Sequence, residues 1–273
     1  MIKSIVIENF IVLTTETATK YKAPALEKGL DILELLAGHQ EGLSQSAIAK
    51  ALDKSQGEIY RMLSTLVRRG YISHGANNEL YTLSLKLFST AQKHAPIERL
   101  LEVARPLMRK AARNVWQSCH LGMESNGSIV IVSSSEAPGN WGFAIRTGSV
   151  VGLWNTGTGR VLAAYRNAEE LEQLIDHHIL AIGEAPLDRD KFLQELKTIR
   201  AQGYYKEKSE TLIGVTNLSF PVFEPNGQII TVLSCPFIER VDELKTASLA
   251  ETEAVFAQLA RDLTQYFNGA VSG

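Results

Sequence analysis

The sequence is poor in cysteine, in long apolar runs and in net charge. Cys119 and Cys235 are its only cysteines, which allows neither a disulfide framework nor a zinc cluster, so we expect a reducing, cytoplasmic environment. A net charge of -2 excludes a generally basic chain, so contact with nucleic acid would require a local basic patch. No stretch combines the length and apolarity of a membrane span, and we expect no membrane partner.

The length of 273 residues predicts two domains, because a single domain commonly holds about 100–200 residues. Residues 1–22 are mildly apolar but are interrupted by Glu8 and Asn9. They lack the continuous apolar core and the small-residue cleavage site of a signal peptide. We therefore expect a loosely packed N-terminal extension.

The next residues predict two short helices. Apolar residues recur at helical spacing from Pro24 to about Ala37, and Gly38 ends the run. The expected buried stripe is Leu26, Leu30, Leu33 and Ala37. Ser44 is suited to cap a second helix. The residues that this helix should bury are Ile48, Ala49 and Leu52.

A third helix has the most complete local signature. Ser55 followed by Glu58 matches the capping box, and Gly70 supplies the stop. The apolar stripe consists of Ile59, Met62, Leu63 and Leu66. The segments YIS and ELYTLS then predict two strands around the turn HGANN. Three short helices followed by a hairpin predict a winged helix-turn-helix.

The side of the third helix opposite its apolar stripe is polar and basic. The candidate DNA-binding residues are Lys54, Ser55, Gln56, Gly57, Tyr60, Arg61, Ser64 and Arg68. Arg61 can make two hydrogen bonds to guanine and Gln56 suits adenine, while Lys54 and Ser55 suit phosphate. Four basic residues against one acidic residue give the stretch from Lys54 to His74 a local charge of +3. The alternative is a small helical domain with a solvated polar face.

Downstream, the sequence alternates hairpins and helices. The stretch LKLFSTAQKHAPIERLLEVARPLMRKAARNV is helical in pattern but is expected to be interrupted at Pro96 and Pro106, with a domain boundary near His94 to Ile97. SCHLGMES and SIVIVSSS predict one hairpin, around Asn126-Gly127. GVTNLSFPVF and QIITVLSCPF predict a second, and WGFAIRTG predicts a further strand.

Helices are predicted in NTGTGRVLAAY, AEELEQLIDHHI and DRDKFLQELKTIRAQG. A final amphipathic helix is expected from about Asp242 to Phe267, with Leu249, Phe256, Leu259 and Leu263 on one face. Antiparallel hairpins with helices packed on them predict an α+β fold rather than a Rossmann fold.

In the order and spacing of these blocks, the chain resembles the isocitrate lyase regulator (IclR) family of bacterial transcription factors. The resemblance runs from PALEKGLDILELLA through IYRMLSTLVRRGYI and YTLSLKLFS to GVTNLSFPVFEPNGQIITVLSCPFIER. It implies a winged-helix domain and a GAF-like effector domain, homodimers joined through the DNA-binding domains, and often homotetramers. The implied partners are double-stranded operator DNA and a small organic acid or aromatic carboxylate.

The divisions that this resemblance implies are residues 1–22 as the extension, 23–88 as the winged helix-turn-helix, 89–97 as a linker helix and 98–273 as the GAF-like domain. The chain departs from the family at the start of the third helix. Asp53 stands where proline is common, and Ser55-Gln56-Gly57 replaces the usual serine-threonine. The operator should therefore not be assumed to match that of any relative.

A second candidate site lies in GSVVGLWNTGTGRVLAAY. Gly157 and Gly159 flank Thr158 before a helix expected to start at about Arg160, and free N–H groups at a helix start suit a carboxylate. A tight turn that merely needs glycine is the alternative. The effector-binding positions implied by the resemblance are Phe143, Val151, Gly157, Thr158, Glu207, Val215, Asn217, Leu233 and Cys235.

Among these positions, Leu233 and Cys235 favour a larger or less polar ligand than the smallest acids. Trp154 replaces a histidine common at this turn in the family, and either offers its indole N–H or fills space. Asp176, His177 and His178 do not predict a metal site, because adjacent helical residues point about 100° apart. We expect no cofactor and no metal.

The function that these observations predict is a ligand-responsive transcriptional regulator that controls uptake or catabolism of a small organic acid or aromatic compound. The alternative is an enzyme whose GAF-like domain converts a small molecule. Glu207 and Cys235 have no evident histidine partner, so the sequence offers no catalytic constellation for it. A constitutive DNA-binding protein is a third possibility.

Overall fold

The computed structural model describes residues 5–7, 10–12, 23–75, 79–91, 95–140 and 142–269. The chain divides into two compact units, Met1–Glu98 and Arg99–Gly273. In the predicted extension, β1 (Ile5–Ile7) and β2 (Phe10–Val12) pair as antiparallel strands. The other residues of the extension lie outside the described part of the chain.

The first unit contains the three predicted helices, α1 (Pro24–Ala37), α2 (Gln45–Ala51) and α3 (Gln56–Arg68). The predicted stripe of α1 is wrong at Leu26 and Leu30, which are 63% and 49% exposed, and at Ala37, which is also exposed. The core of this unit takes α1 residues only from Ile32 to Leu36, so the positions of the predicted stripe before and after that range lie outside it. Its buried residues are Ile32, Leu33, Leu35 and Leu36.

The capping signals of α2 and α3 are confirmed. The Ser44 hydroxyl accepts from the N–H of Ala47 at 3.3 Å. The Ser55 hydroxyl accepts from the N–H of Glu58, and the Glu58 carboxylate accepts from the N–H of Ser55. Of the predicted stripe of α3, Ile59 and Leu63 are fully buried while Met62 and Leu66 are partly buried against the same core.

A three-stranded sheet completes this unit, in the order β3 (Leu43–Ser44), β5 (Leu80–Leu83), β4 (Ile72–His74). The predicted hairpin is β4 and β5, and residues 76–78 of its turn lie outside the described residues. The short strand β3 was not predicted. A fourth helix, α4 (Lys86–Ala91), follows.

The helix α5 (Ala95–Val115) passes through Pro106 without ending, so the predicted interruption there is wrong. A proline inside a helix leaves the carbonyl four residues earlier without its usual donor. Pro106 and Glu102 are both exposed, which allows water to satisfy that carbonyl. The opposite face of α5 is buried at Leu101, Ala104, Met108, Ala111, Ala112 and Val115.

The second unit is built on a six-stranded antiparallel sheet, in the order β8-β7-β6-β11-β10-β9. The strands are β6 (Cys119–Ser125), β7 (Ser128–Ser135), β8 (Val150–Val151), β9 (Tyr205–Lys208), β10 (Val215–Phe223) and β11 (Ile229–Ile238). Both predicted hairpins, β6–β7 and β10–β11, are confirmed. The edge strand β9 was not predicted.

The predicted strand WGFAIRTG is wrong. Trp141 lies outside the described residues, and residues 142–147 form no strand. A turn closed by Ser149 N–H to the Arg146 carbonyl precedes β8, and only Gly148 and Ser149 exchange hydrogen bonds with Ile131 of β7. The described residues of the segment before Gly148 therefore add no strand to the sheet.

Besides α5, the described part of the second unit contains α6 (Gly157–Ala164), α7 (Ala168–His177), α8 (Arg189–Gln202) and α9 (Leu249–Gly269). The predicted start of α9 at Asp242 is wrong, because the carboxylate of Asp242 binds Arg240 and the N–H of Leu244 in a turn. Ser248 caps the helix instead, with Glu251 as its reciprocal partner. The predicted α+β class is confirmed: a winged helix-turn-helix precedes an antiparallel-sheet, GAF-like unit.

Candidate functional site

The outer face of α3 is exposed at all eight candidate DNA-binding residues. Lys54, Arg61 and Arg68 have no acidic partner within ion-pair distance among the described residues. Ser55 differs, because its hydroxyl and its N–H both bind the Glu58 carboxylate. Three cations on this face are therefore free to meet an anionic partner.

The acidic residue of this helix is neutralised within the domain. Lys28 of α1 donates to Glu58 at 2.5 Å. This hydrogen bond, with those from Ser55, lowers the pKa of Glu58 to about 2. The exposed face of α3 therefore keeps its positive potential. At Gly57 an added Cβ would meet no atom within 4 Å, so packing inside the domain does not require glycine there, and an approaching partner would find no side chain.

The second candidate site is a small cavity of about 50 Å³ in the Arg99–Gly273 unit. Its walls come from β6, β8, β10 and β11, from the first turn of α6, and from the segments 143–145 and 209–212. Six predicted effector-binding residues line it, and they are Phe143, Val151, Gly157, Thr158, Val215 and Asn217.

Three predicted effector-binding residues do not line this cavity. Successive side chains of a strand point to opposite faces, and on β11 Ser234 and Pro236 line the cavity. Leu233 and Cys235 therefore lie on the opposite face of the sheet. Glu207 is paired with Asn217 across β9 and β10, but it is exposed and outside the cavity wall. The expectation of a less polar ligand, which rested on Leu233 and Cys235, loses its basis.

The first turn of α6 begins at Gly157, three residues earlier than predicted. Thr156 caps the helix, because its hydroxyl accepts from the N–H of Gly159 at 3.1 Å. A Cβ on Gly157 would lie 2.5 Å from Ser219 Oγ, and one on Gly159 would lie 2.3 Å from the Leu153 carbonyl oxygen. Close packing thus requires both glycines, whether or not a ligand binds beside them.

A chain of buried polar groups crosses the cavity wall, and the sequence did not predict it. His120 Nε2 lies 3.1 Å from Thr158 Oγ1, which lies 2.9 Å from Ser234 Oγ. Ser234 donates in turn to Ser219 at 2.8 Å. Burial lowers the pKa of His120 to about 4, so the imidazole is neutral at physiological pH. The strand pairing explains the cluster, since His120 of β6 faces Ser234 of β11.

Arg160 holds one wall of the cavity in place. Its buried guanidinium forms ion pairs with Glu195 at 2.9 Å and Glu210 at 3.0 Å. It also donates to the Tyr205 hydroxyl at 2.7 Å. Glu210 belongs to the segment 209–212, so these contacts attach that segment to the helix that carries Thr158. Both carboxylates are committed to Arg160 rather than to the cavity.

Comparison with known families matches both units. The family model described as "IclR helix-turn-helix domain" matches residues 25–75. The one described as "Bacterial transcriptional regulator IclR C-terminal" matches residues 92–263, more than half of the chain. The chain belongs to the IclR family of bacterial transcriptional regulators.

Individual relatives agree with the IclR assignment. The HTH-type transcriptional regulator KdgR of Escherichia coli is 27% identical over 212 residues, which cover 77% of this chain and 80% of KdgR. The glycerol operon regulatory protein of Streptomyces coelicolor is 25% identical over 243 residues, which cover 88% of this chain and 96% of that protein. An IclR homolog from Microbacterium hydrocarbonoxydans, solved in complex with 4-hydroxybenzoate, has the same fold, with a TM-score of 0.73. The two sequences are 17% identical, and the match covers 90% of this chain and 99% of the homolog.

The tryptophan at the turn before α6 has a packing role in this IclR chain. The indole N–H of Trp154 donates to the Ala185 carbonyl at 2.7 Å, and its ring packs edge-on against His178 and Phe192. His178 also binds the Glu184 carboxylate at 2.7 Å. Trp154 therefore fills space instead of offering its N–H to a ligand. Within the described residues, no helix is long and apolar enough to cross a membrane.

Proposed function

We propose that this IclR-family regulator binds operator DNA through α3 and that a small organic acid in the cavity beside α6 changes its affinity for that DNA. Residues 23–88 would form the DNA-binding domain and residues 98–273 the effector domain, joined through 89–97. The observation that carries the proposal is an exposed basic helix face in one unit together with a buried, uncharged polar cavity in the other.

The free cations of α3 divide into two roles. Arg61 lies in the middle of the exposed face and can pair with the O6 and N7 atoms of guanine. Lys54 and Arg68 lie near the two ends and suit phosphates, with Ser64 and Tyr60 as further polar contacts. Ser55 is less suited than its sequence position indicates, because the capping box occupies its hydroxyl.

The cavity favours a short acid over an aromatic one. Its volume of about 50 Å³ holds only a few atoms of water size, and six residues with hydroxyl groups line it. Relatives include a glycerol operon regulator and a homolog that binds the aromatic acid 4-hydroxybenzoate. A benzene ring would require the cavity to enlarge, whereas an acid of two or three carbons would not.

Assembly as a homodimer, or as a dimer of dimers, belongs to the same proposal. A helix-turn-helix reads two half-sites about one turn of DNA apart, roughly 34 Å, when two copies are joined. The first unit exposes apolar side chains that a second copy could cover, namely Leu26, Leu30, Leu85 and Phe88. Replacing Leu26 and Leu30 with glutamate should lower the mass observed in sedimentation equilibrium.

The enzyme alternative lacks a base for its most plausible nucleophile. Thr158 contacts His120, but Ser234 donates to Ser219, so the single proton of each hydroxyl requires Thr158 to donate to Ser234. His120 Nε2 then donates to Thr158 and cannot accept its proton. Turnover of a bound acid by the purified protein would revive this alternative.

The Thr158→Val variant tests the effector site. Fluorescence anisotropy of labelled operator DNA, with and without a panel of short carboxylic acids, measures both activities. We expect the variant to lose most of its response to the acid, with unchanged DNA affinity in the absence of acid. Thr198→Val, on the exposed surface of α8, is the matched control and should behave as the wild type. If Thr158→Val changes both activities together, the site assignment is wrong.

A further inference from the structure

The buried histidine of the cavity has one ring nitrogen without a partner. Because Ser234 donates to Ser219, the one-proton rule for hydroxyls makes Thr158 the donor to Ser234 and His120 Nε2 the donor to Thr158. Because burial lowers the pKa of His120 to about 4, the ring is neutral and its single proton lies on Nε2. Its Nδ1 carries a lone pair and meets no hydrogen-bond donor in the described residues. A buried acceptor in this state can accept a hydrogen bond from a bound molecule.

The cavity offers no positive charge to an anion. Among the described residues that line it, none is lysine or arginine, and His120 is the sole titratable group. The side chains beside His120 from the neighbouring strands are Ser134 on β7 and Ser234 on β11. From α6 it meets Thr158, and the segments 143–145 and 209–212 contribute apolar and hydroxyl side chains to the wall.

Charged groups near the cavity are engaged elsewhere. The guanidinium of Arg160 is balanced by Glu195 and Glu210, and Glu207 is exposed outside the wall. Cys119 and Cys235 are fully buried, and burial raises the pKa of both thiols, so neither supplies a charge. A bare carboxylate entering this cavity would be a buried charge without a counter-ion, which is strongly unfavourable.

We propose that the cavity binds a carboxylic acid of two or three carbons together with one proton, which is held at Nδ1 of His120. This inference rests on the proposed function, since it takes this cavity as the effector site. The O–H bond of the acid breaks as an N–H bond forms at Nδ1, so a neutral acid and a neutral imidazole become a carboxylate and an imidazolium. The net charge of the cavity stays at zero.

The remaining groups of the cavity complete the site for the carboxylate. Ser219 accepts from Ser234 and keeps its own proton, which it can donate to a carboxylate oxygen. The N–H groups of Gly157 and Thr158 have no acceptor inside α6, as at any helix start, and favour an anion. Residues that carry donors for the carboxylate and the residue that carries the acceptor for the proton thus line the same small cavity.

The affinity of such a site depends on pH. When a complex holds one proton more than its separated partners, the binding affinity falls tenfold for each unit by which the pH rises. Free short acids are ionised above about pH 5, and the pKa of His120 in the empty cavity is about 4. The Kd should therefore rise about tenfold per pH unit above pH 5, until the bound imidazolium itself loses its proton.

Histidine-ring NMR of the full-length protein can test this directly. Acetate, glycolate and lactate are titrated at about pH 6, 7 and 8, and the His120 signal is assigned by its loss in His120→Gln. We expect binding of at least one acid at pH 6, a shift of the His120 ring signals toward the imidazolium position, and a Kd about a hundredfold higher at pH 8. Acetamide and glycolamide, which carry no acidic proton, should bind without this pH dependence or not at all.

Variants separate the role of His120 from general effects of pH. His120→Gln should abolish the pH dependence, whereas the surface variant His177→Gln should retain it. The pH dependence of the wild-type Kd can be measured without either variant. A pH-independent Kd, a bound His120 that stays neutral, or no binding of any of the three acids at pH 6 overturns the inference.

The same titrations distinguish this inference from the proposed function. If the acids bind with a proton but leave DNA affinity unchanged, the proton-linked site stands and the regulatory proposal fails. If another compound controls DNA binding with no dependence on pH, the regulatory proposal stands and the proton-linked site fails.

Discussion

Replacing His120 with glutamine should reduce the loss of unfolding free energy that the second unit undergoes as the pH falls. Burial lowers the pKa of His120 from an ordinary 6.5 to about 4. Between these two values, His120 is protonated in the unfolded chain and neutral in the folded chain. A base with a lowered folded-state pKa contributes full stability above pH 6.5, and this contribution is lost as the pH falls toward 4. Between pH 7.5 and pH 5 the loss amounts to about 2 kcal/mol.

Urea denaturation followed by tryptophan fluorescence measures this difference. Trp116, Trp141 and Trp154 are the three tryptophans of the chain, and all lie within Arg99–Gly273, so the signal reports on the second unit. The wild type should lose about 2 kcal/mol more than His120→Gln between the two pH values, because all other titrations are common to both proteins. Equal losses in the two proteins would refute the argument that His120 is buried in its neutral form.

Three further substitutions test other parts of the structure. Arg61→Ala should weaken operator binding by about 1–3 kcal/mol and relax the preference at one base pair; equal weakening on every sequence in an anisotropy assay would instead make Arg61 a phosphate contact. Gly159→Ala, which places a Cβ 2.3 Å from a backbone oxygen, should destabilise by about 1–3 kcal/mol, whereas Gly29→Ala meets nothing within 4 Å and should not lower the melting temperature. Arg160→Met should lower the free energy of unfolding, measured by urea denaturation, by roughly 2 kcal/mol, which is less than for a fully buried pair because its carboxylate partners are partly exposed. Neutralising both carboxylates in the same variant should restore part of this free energy.

Local signals account for the parts of the fold that were predicted from the sequence. The capping box of Ser55 and Glu58 and the glycine turn of the β6–β7 hairpin depend on residues a few positions apart, so the sequence displays them directly. The start of α9 was predictable in the same way, because Ser248 and Glu251 have the spacing of a capping box. The expected start at Asp242 gave helical periodicity more weight than that signal.

The site depends on contacts that local patterns do not contain. Strand β11 is buried on both faces along most of its length, so hydrophobic alternation does not reveal which side chains face the cavity. The choice of Leu233 and Cys235 was therefore off by one residue from Ser234, and that shift changes the expected ligand from apolar to polar. His120 could be recognised only after its pairing with Ser234 was known, since an isolated histidine in a strand carries no sign of its partner.

DNA recognition by α3 can be tested by measuring the affinity of the full-length protein for DNA from upstream of its own gene. Scrambled DNA of the same composition is the control, and both are measured across a salt series. We expect a clear preference for one upstream fragment, with affinity that falls steeply as salt rises because cations of α3 contact phosphates. DNA recognition by α3 would be contradicted if the protein showed no preference for any fragment of this region or of a genomic pool, with and without short carboxylic acids.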